Sequence, residues 1–211
     1  MHADSGQPDL VARQADADDA ERLASLMFLD PGREAVAMAG SASAAERFQV
    51  RLLRRALQKG TSTVIIAETP SGPAGFAEVS QGAETPSLRT LAPAAVAAMG
   101  VAGALRAARR SLARRKVDLA VPGGGVHLVE LQVAPDLRNR GIGALLLARV
   151  DEYAISQHAE HVSLTTATDN PARGLYERNG YRLVDQKTDA RYERLTGSEG
   201  RVLMVKPLET A

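Results

Sequence analysis

Cysteine is absent from the 211-residue chain. That excludes disulfides, thiolate nucleophiles and cysteine-ligated metals, and it fits a cytoplasmic protein. Charge of one sign is also lacking: 26 basic against 25 acidic side chains leave a formal net charge of +1. The chain as a whole therefore has no electrostatic bias toward nucleic acid or a membrane. No uncharged apolar run reaches the roughly 20 residues that a membrane-spanning helix needs. The polar, acidic stretch 1–8 has neither a basic n-region nor an apolar h-region, so no secretory leader is expected there. His2, His158 and His161 show no metal-ligand spacing and read as surface residues, and no metal is expected. Internal repeats are absent. The length suits one domain over 1–211 with a sizeable core.

What is present reads as a mixed α/β chain. Residues 10–13 form a first short strand. Asp16 or Asp18 caps a helix to about Leu29, with Ala20, Leu23, Leu26 and Met27 as its apolar face. Asp30-Pro31-Gly32 breaks it. Ser43 then caps a helix to Lys59, with Glu46 three residues on as a capping box, and Gly60 ends it. The β-forming run 61–68, the turn residues 69–73 and the run 74–80 predict an antiparallel hairpin.

Residues 81–125 break this rhythm. A loop leads into a long predicted helix, 91–116, with Pro93 in its first turn and Leu91, Ala95, Ala98, Met99, Ala102, Leu105 and Leu112 as its stripe. Its second half carries Arg106, Arg109, Arg110, Arg114, Arg115 and Lys116, and no acid occurs between Glu84 and Asp118. Pro122-Gly123-Gly124-Gly125 is a flexible joint. Strand 126–134, helix 143–158 and strand 161–167 follow as one right-handed βαβ unit, whose two strands should be parallel. A short helix from Asn170-Pro171 to Arg178 leads to strands 181–186 and 201–206, joined by a long polar loop.

The turn Arg138-Asn139-Arg140-Gly141-Ile142-Gly143 stands between the first strand and the helix of that unit. The N–H groups of a helix's first turn are unsatisfied and the dipole is positive there, so the turn suits an anion such as a pyrophosphate. Two well-known phosphate loops are excluded. No Lys follows Gly143, as a P-loop requires, and Leu146 stands where a dinucleotide fingerprint needs a third glycine.

The segment Val133-Ala134-Pro135-Asp136-Leu137-Arg138-Asn139-Arg140-Gly141-Ile142-Gly143 resembles the acetyl-CoA-binding motif of the GCN5-related N-acetyltransferases (GNAT), Arg/Gln-x-x-Gly-x-Gly/Ala after a strand ending in Val-x-Pro. A second match is Asn170-Pro171-Ala172-Arg173-Gly174-Leu175-Tyr176-Glu177-Arg178-Asn179-Gly180-Tyr181, which is similar to the family's Asn-x-x-Ala-x-x-Leu-Tyr-x-x-x-Gly-Phe/Tyr. The two occur in the family's order across one βαβ unit. The resemblance is sharp over 126–184 and extends to 10–80. It fails over 81–125, which is longer than the family's usual link between its third and fourth strands.

This resemblance implies a fold, a cofactor and roles. The fold is a GNAT-like mixed sheet with a central splayed parallel strand pair, flanked by helices. The backbone of Arg138, Asn139, Arg140, Gly141, Ile142 and Gly143 would hold the pyrophosphate of acetyl-CoA. The strand at Leu131, Gln132 and Val133 would pair with its pantetheine amides, like an added strand. In the family this strand bulges and frees a backbone N–H for the acetyl carbonyl. Asn170 would contact the cofactor arm, and Tyr176 would protonate the leaving thiolate. The base would be Glu130, eight residues before Arg138, or His127, eleven before it. Acceptor-side candidates are Phe28, Asp30, Glu34 and Met38, and Asp189, Tyr192, Glu193 and Glu199 in the last loop.

The expected activity is transfer of acetyl from acetyl-CoA directly to an amine, on a small molecule or a protein, in a ternary complex. The alternatives are a non-catalytic acyl-CoA sensor or structural domain and a transferase of another acyl group. Helix 91–116 has three readings: a surface helix packed by its stripe, a lid or dimer contact, and an amphipathic contact with an anionic membrane. Its lack of aromatic residues argues against nucleic-acid binding by base stacking. A homodimer is an expected possibility.

Overall fold

The computed structural model of the chain describes residues 10–19, 22, 23, 26, 32–60, 62–81 and 88–209. Seven strands form one sheet: β1 (Val11–Gln14), β2 (Thr63–Thr69), β3 (Gly72–Gln81), β4 (Val126–Val133), β5 (His161–Ala167), β6 (Arg182–Thr188) and β7 (Gly200–Pro207). Their order is β1-β2-β3-β4-β5-β7-β6. Only β4 and β5 run parallel; the remaining neighbours are antiparallel. Helices α1 (Arg33–Ala39), α2 (Ala42–Lys59), α3 (Leu88–Arg114), α4 (Ile142–Ser156), α5 (Arg173–Arg178) and α6 (Ala190–Thr196) pack around it. This is the mixed α/β architecture, with a central parallel pair, that the sequence implied.

The predominantly apolar run Thr63-Val64-Ile65-Ile66-Ala67 explains why β2 lies inside the sheet, since a strand covered on both faces needs no polar alternation. Ile65 and Ala67 join the core under α4, with Leu146, Leu147, Val150, Val162, Leu164 and Met204. Val64 and Ile66 point the other way, to Leu23, Leu26, Leu53 and Phe76. Leu23 and Leu26 thus take the core role expected of the first helix; Ala20 and Met27 of that face lie outside the described residues.

Four local expectations are corrected. The cap of α2 is Ser41, not Ser43: Ser41 has extended backbone and its hydroxyl accepts from the Ala44 N–H at 3.2 Å. Ser43 lies inside the first turn, so Glu46 closes no capping box. Residues 33–39, expected to join no helix or strand, are helical as α1. The polar loop after β6 contains α6, capped by Asp189, whose carboxylate accepts from the Arg191 and Tyr192 N–H groups at 2.9 Å. His161 is buried, because its ring fills the space where Gly125 has no Cβ.

The long helix exists, but it begins at Leu88, and Gly100 (φ 71°, ψ 170°) breaks it into two pieces. Glycine alone adopts that backbone without strain. The break frees the Ala98 carbonyl, which accepts from Arg47 Nε at 2.8 Å. It also resets the helical phase. Ala98 is buried as expected, whereas Leu105 and Leu112 are 64% and 51% exposed, and Ala113 and Val117 are buried instead. By length and composition alone, Leu91–Val117 is apolar enough to cross a membrane; in the structure α3 packs on α1, α2 and α6.

Candidate active site

Strands β4 and β5 hold each other over three pairs only, Val126↔Val162, His127↔Ser163 and Leu128↔Leu164. On its other edge β4 stays paired with β3 as far as Val133, but the register slips: Glu78 faces Glu130 while Val79 faces Leu128. Val129 is therefore the extra residue of a β-bulge, and bulges bend the strand that carries them. From Val129 onward β4 diverges from β5 and a slot opens between them. The Ala134 N–H donates to the Ala74 carbonyl at 2.9 Å, which fixes the alternation of the ladder. Gln132 then faces β3, while the backbone groups of Leu131 and Val133 face the slot. Consistently, the Val133 carbonyl accepts from Arg138 Nε at 3.3 Å on that side.

A close approach on the β3 side holds this segment in place. A Cβ on Gly75 would lie 2.6 Å from the Gln132 carbonyl oxygen and 3.3 Å from the Val133 Cα. Both are backbone atoms that cannot swing aside. Gly75→Ala is expected to lower stability by about 1–3 kcal/mol, read from urea unfolding midpoints.

A 3₁₀ turn, Pro135–Leu137, leads from β4 to the exposed residues Arg138, Asn139, Arg140 and Gly141. Asn139 and Gly141 have φ of 61° and 84°. Gly141 is the residue before α4, no side chain caps that helix, and no atom lies within 4 Å of the space a Gly141 Cβ would fill. The first-turn N–H groups thus have no side-chain cap and the side of Gly141 is open, both of which suit an anion site. Ile142 is buried and anchors the turn. Gly143 has a second reason to be small: a Cβ there would lie 2.8 Å from Leu175 Cδ2 of α5. One glycine faces the open side and the other lets α4 approach α5.

That approach brings Tyr176 of α5 into the core, 6% exposed, with its ring edge-on to Tyr181 at 5.9 Å. Burial, and then the charge of Glu130, push the Tyr176 phenol up to about 12. Glu130 itself is pushed up to about 7, by burial first and then by the charges of Glu78 and Glu34. Burial also raises Glu78 above the ordinary carboxylate range. The charge of Glu130 thus reaches Tyr176, 46 residues further along the chain. His127 is held down to about 4 by burial and by Arg201, and its Nδ1 lies 3.0 Å from Ser163 Oγ. Asn170 turns its side chain inward: Oδ1 accepts from the Ala172 N–H at 2.8 Å and Nδ2 donates to Thr166 Oγ1. It shapes the entry to α5.

Glu34, from the unexpected helix α1, is the node of a polar network that includes Tyr192, another residue named for the acceptor side. Its carboxylate accepts from Arg114 Nε at 2.8 Å and from the Tyr192 hydroxyl at 2.9 Å, and it pairs with Arg201 at 3.5 Å. Burial acts to raise it, but Arg201, Arg114 and Tyr192 prevail and hold it below the ordinary range. Among the other residues named for the acceptor side, Phe28 and Asp30 lie outside the described residues. Glu78, Ser163 and Arg201 were not singled out from sequence. The one available signal was a glutamate inside the apolar run Ala74–Val79.

The acetyltransferase (GNAT) family model matches residues 33–181. The chain belongs to the GNAT acetyltransferase family. No curated protein matches it. Solved structures show the same GNAT fold at low identity. The PaiA N-acetyltransferase of Thermoplasma acidophilum, in complex with coenzyme A, is 14% identical, with 94% of this chain and 99% of that one covered and a TM-score of 0.58. Histone acetyltransferase HPA2 and related acetyltransferase of Corynebacterium glutamicum ATCC 13032 is 15% identical, covering 96% and 98%, at 0.61. Naa20 of Chaetomium thermophilum, in complex with a bisubstrate analogue, is 19% identical, covering 94% and 86%, at 0.55. In this GNAT protein the splayed strands are β4 and β5, and the helix that opens on the slot is α4.

Proposed function

We propose that this GNAT protein transfers the acetyl group of acetyl-CoA directly to an amine, with both substrates bound together. The observation that carries the reading is a β4 that leaves β5 after three residue pairs and bears, just past its bulge, Glu130, pushed up to about 7, whose charge reaches the protonated Tyr176. The complex of the Thermoplasma relative with coenzyme A supports the same donor here. Acetyl-CoA supplies an activated thioester. The α4 N-terminus, with Arg138 to Gly143, holds its pyrophosphate, and Leu131 and Val133 offer their backbone groups to its pantetheine arm.

Glu130 takes the proton of the attacking amine, since a base near pKa 7 is half-ionised at neutral pH and still accepts a proton readily. His127 suits the role less well, because its conjugate acid at about 4 holds a proton poorly. Tyr176 protonates the departing sulfur. Its phenol is a weak acid while Glu130 is ionised. Once Glu130 is protonated, that charge is gone and the phenol gives up its proton more easily. Base and acid are thus coupled, and each proton movement prepares the next.

Calorimetric titration with acetyl-CoA should give a micromolar Kd, and an acceptor screen should show free CoA released only when protein and amine are both present. A titration without detectable heat, together with no CoA release, would refute the reading.

A further inference from the structure

The insertion and the last connection build a second feature that the acetyl-transfer reading leaves unused. Arg109 and Arg110 of α3 and Arg191 and Arg194 of α6 line one cleft of about 260 Å³ with Ala113 and Leu195. Arg191 and Arg194, three residues apart, share one face of α6, and Arg109 and Ala113, four apart, share one face of α3. Ala113 is buried and Leu195 half-buried, so an apolar floor lies beneath four guanidinium groups. Among the described residues no carboxylate lines the cleft. Glu193, the one acid within α6, is not among its walls.

The charge is not offset from elsewhere. Among the described residues Arg109, Arg191 and Arg194 have no ion pair, and Arg110 donates only to the Met38 carbonyl, at 3.5 Å. The contrast with Arg114 is direct. One turn beyond Arg110 on the same helix, it pairs with both Glu34 and Asp118, at 2.8 and 2.6 Å. Four like charges around one small cleft repel one another, and an anion between them reverses the sign of that interaction. Guanidinium groups bind oxyanions through paired, parallel N–H donors, and groups on two facing walls can engage different oxygens of one tetrahedral anion. The volume is below that of drug-sized pockets, so the occupant is compact.

We propose that this cleft is an anion site for a compact phosphate group, separate from the α4 terminus that the CoA pyrophosphate would occupy. Its walls come from residues 109–113, in the insertion, and 191–195, between β6 and β7, whereas the α4 turn comes from 138–143. The cleft adjoins the Glu34 node on both sides, through Arg114 on α3 and Tyr192 on α6. A bound phosphate would therefore sit against that polar network.

Inorganic pyrophosphate titrated calorimetrically into the full-length protein tests this, at low salt, with and without saturating CoA. The expected result is one site with a submillimolar Kd under saturating CoA, which fills the α4 turn and leaves only the cleft to the added pyrophosphate. Arg191→Ala/Arg194→Ala should weaken it at least tenfold, as should Arg109→Ala on the opposite wall. Arg149→Ala, an exposed arginine of α4, should leave it unchanged. Citrate should bind at least tenfold more weakly. No binding, displacement by CoA, equal weakening in Arg149→Ala, or preference for citrate would each overturn the assignment. Arg109, Arg191 and Arg194 lie outside the α4 turn, so their substitution locates the pyrophosphate site even where CoA does not bind, and failure of CoA binding would strike the acetyl-transfer reading alone.

Discussion

Glu130→Gln is expected to lower kcat by about 10²–10⁴-fold while acetyl-CoA binding stays within about threefold. The side chain is not on the strand edge proposed for the cofactor; its role is to receive a proton. In the wild-type protein kcat/KM should rise with pH through about 7, the value to which burial and the facing carboxylates bring Glu130. In the variant that rise should vanish. An unchanged rate with an unchanged pH profile would remove Glu130 from the mechanism.

The same substitution should stabilise the fold at alkaline pH. An unfolded glutamate titrates near 4.5, and Glu130 in the fold near 7. Between those values the folded protein keeps a proton that the unfolded chain has released. Stability therefore falls as pH rises across that window and stays lower above it. Glutamine carries no such charge. At pH 8 Glu130→Gln should gain on the order of 1–3 kcal/mol over wild type, and at pH 4.5 almost nothing. Melting curves at the two pH values separate this from a general packing effect. A gain in stability coupled to a loss of turnover is the signature of a group strained for function.

Tyr176→Phe is expected to lower kcat by about 10²-fold or more, with acetyl-CoA affinity nearly unchanged. The ring stays in place against Tyr181, so the variant removes the hydroxyl and little packing. A phenol pushed up to about 12 remains protonated across the working range. No alkaline limb below pH 10 should therefore come from this group. Turnover as fast as wild type would mean the departing sulfur is protonated by water. Binding without turnover in both wild type and variant would mark a sensor rather than an enzyme.

The legible parts of the sequence were local ones. The turn at 138–143, the short helix ending at Arg178 (which begins at Arg173 rather than at Asn170) and the hairpin expected over 61–80 depend on short-range backbone chemistry and on runs of β-forming residues. Non-local features stayed hidden. Glu78 faces Glu130 only because β4 carries one extra residue, and register is a property of two strands rather than of either sequence. Glu34 matters through Arg114, Tyr192 and Arg201, which lie 80, 158 and 167 residues away. The apolar stripe of the long helix was misread past Gly100, because periodicity assumes one unbroken phase. Ser41 and Ser43 both suit a cap, and the choice followed from where α1 ends.

The short contact between β4 and β5 has a mechanical meaning. The sheet is a book with two covers, β1 to β4 and β5 to β7, and its spine is three residue pairs long. Among the described residues the β4–β5 ladder ends with the spine, so a molecule wedged between the pages breaks no ladder bond on entering. The opening angle is set by the bulge at Val129 and by α4, which lies under both covers like a binding strip. The work of parting two paired strands was done when the chain folded, and a ligand arrives at a page already open.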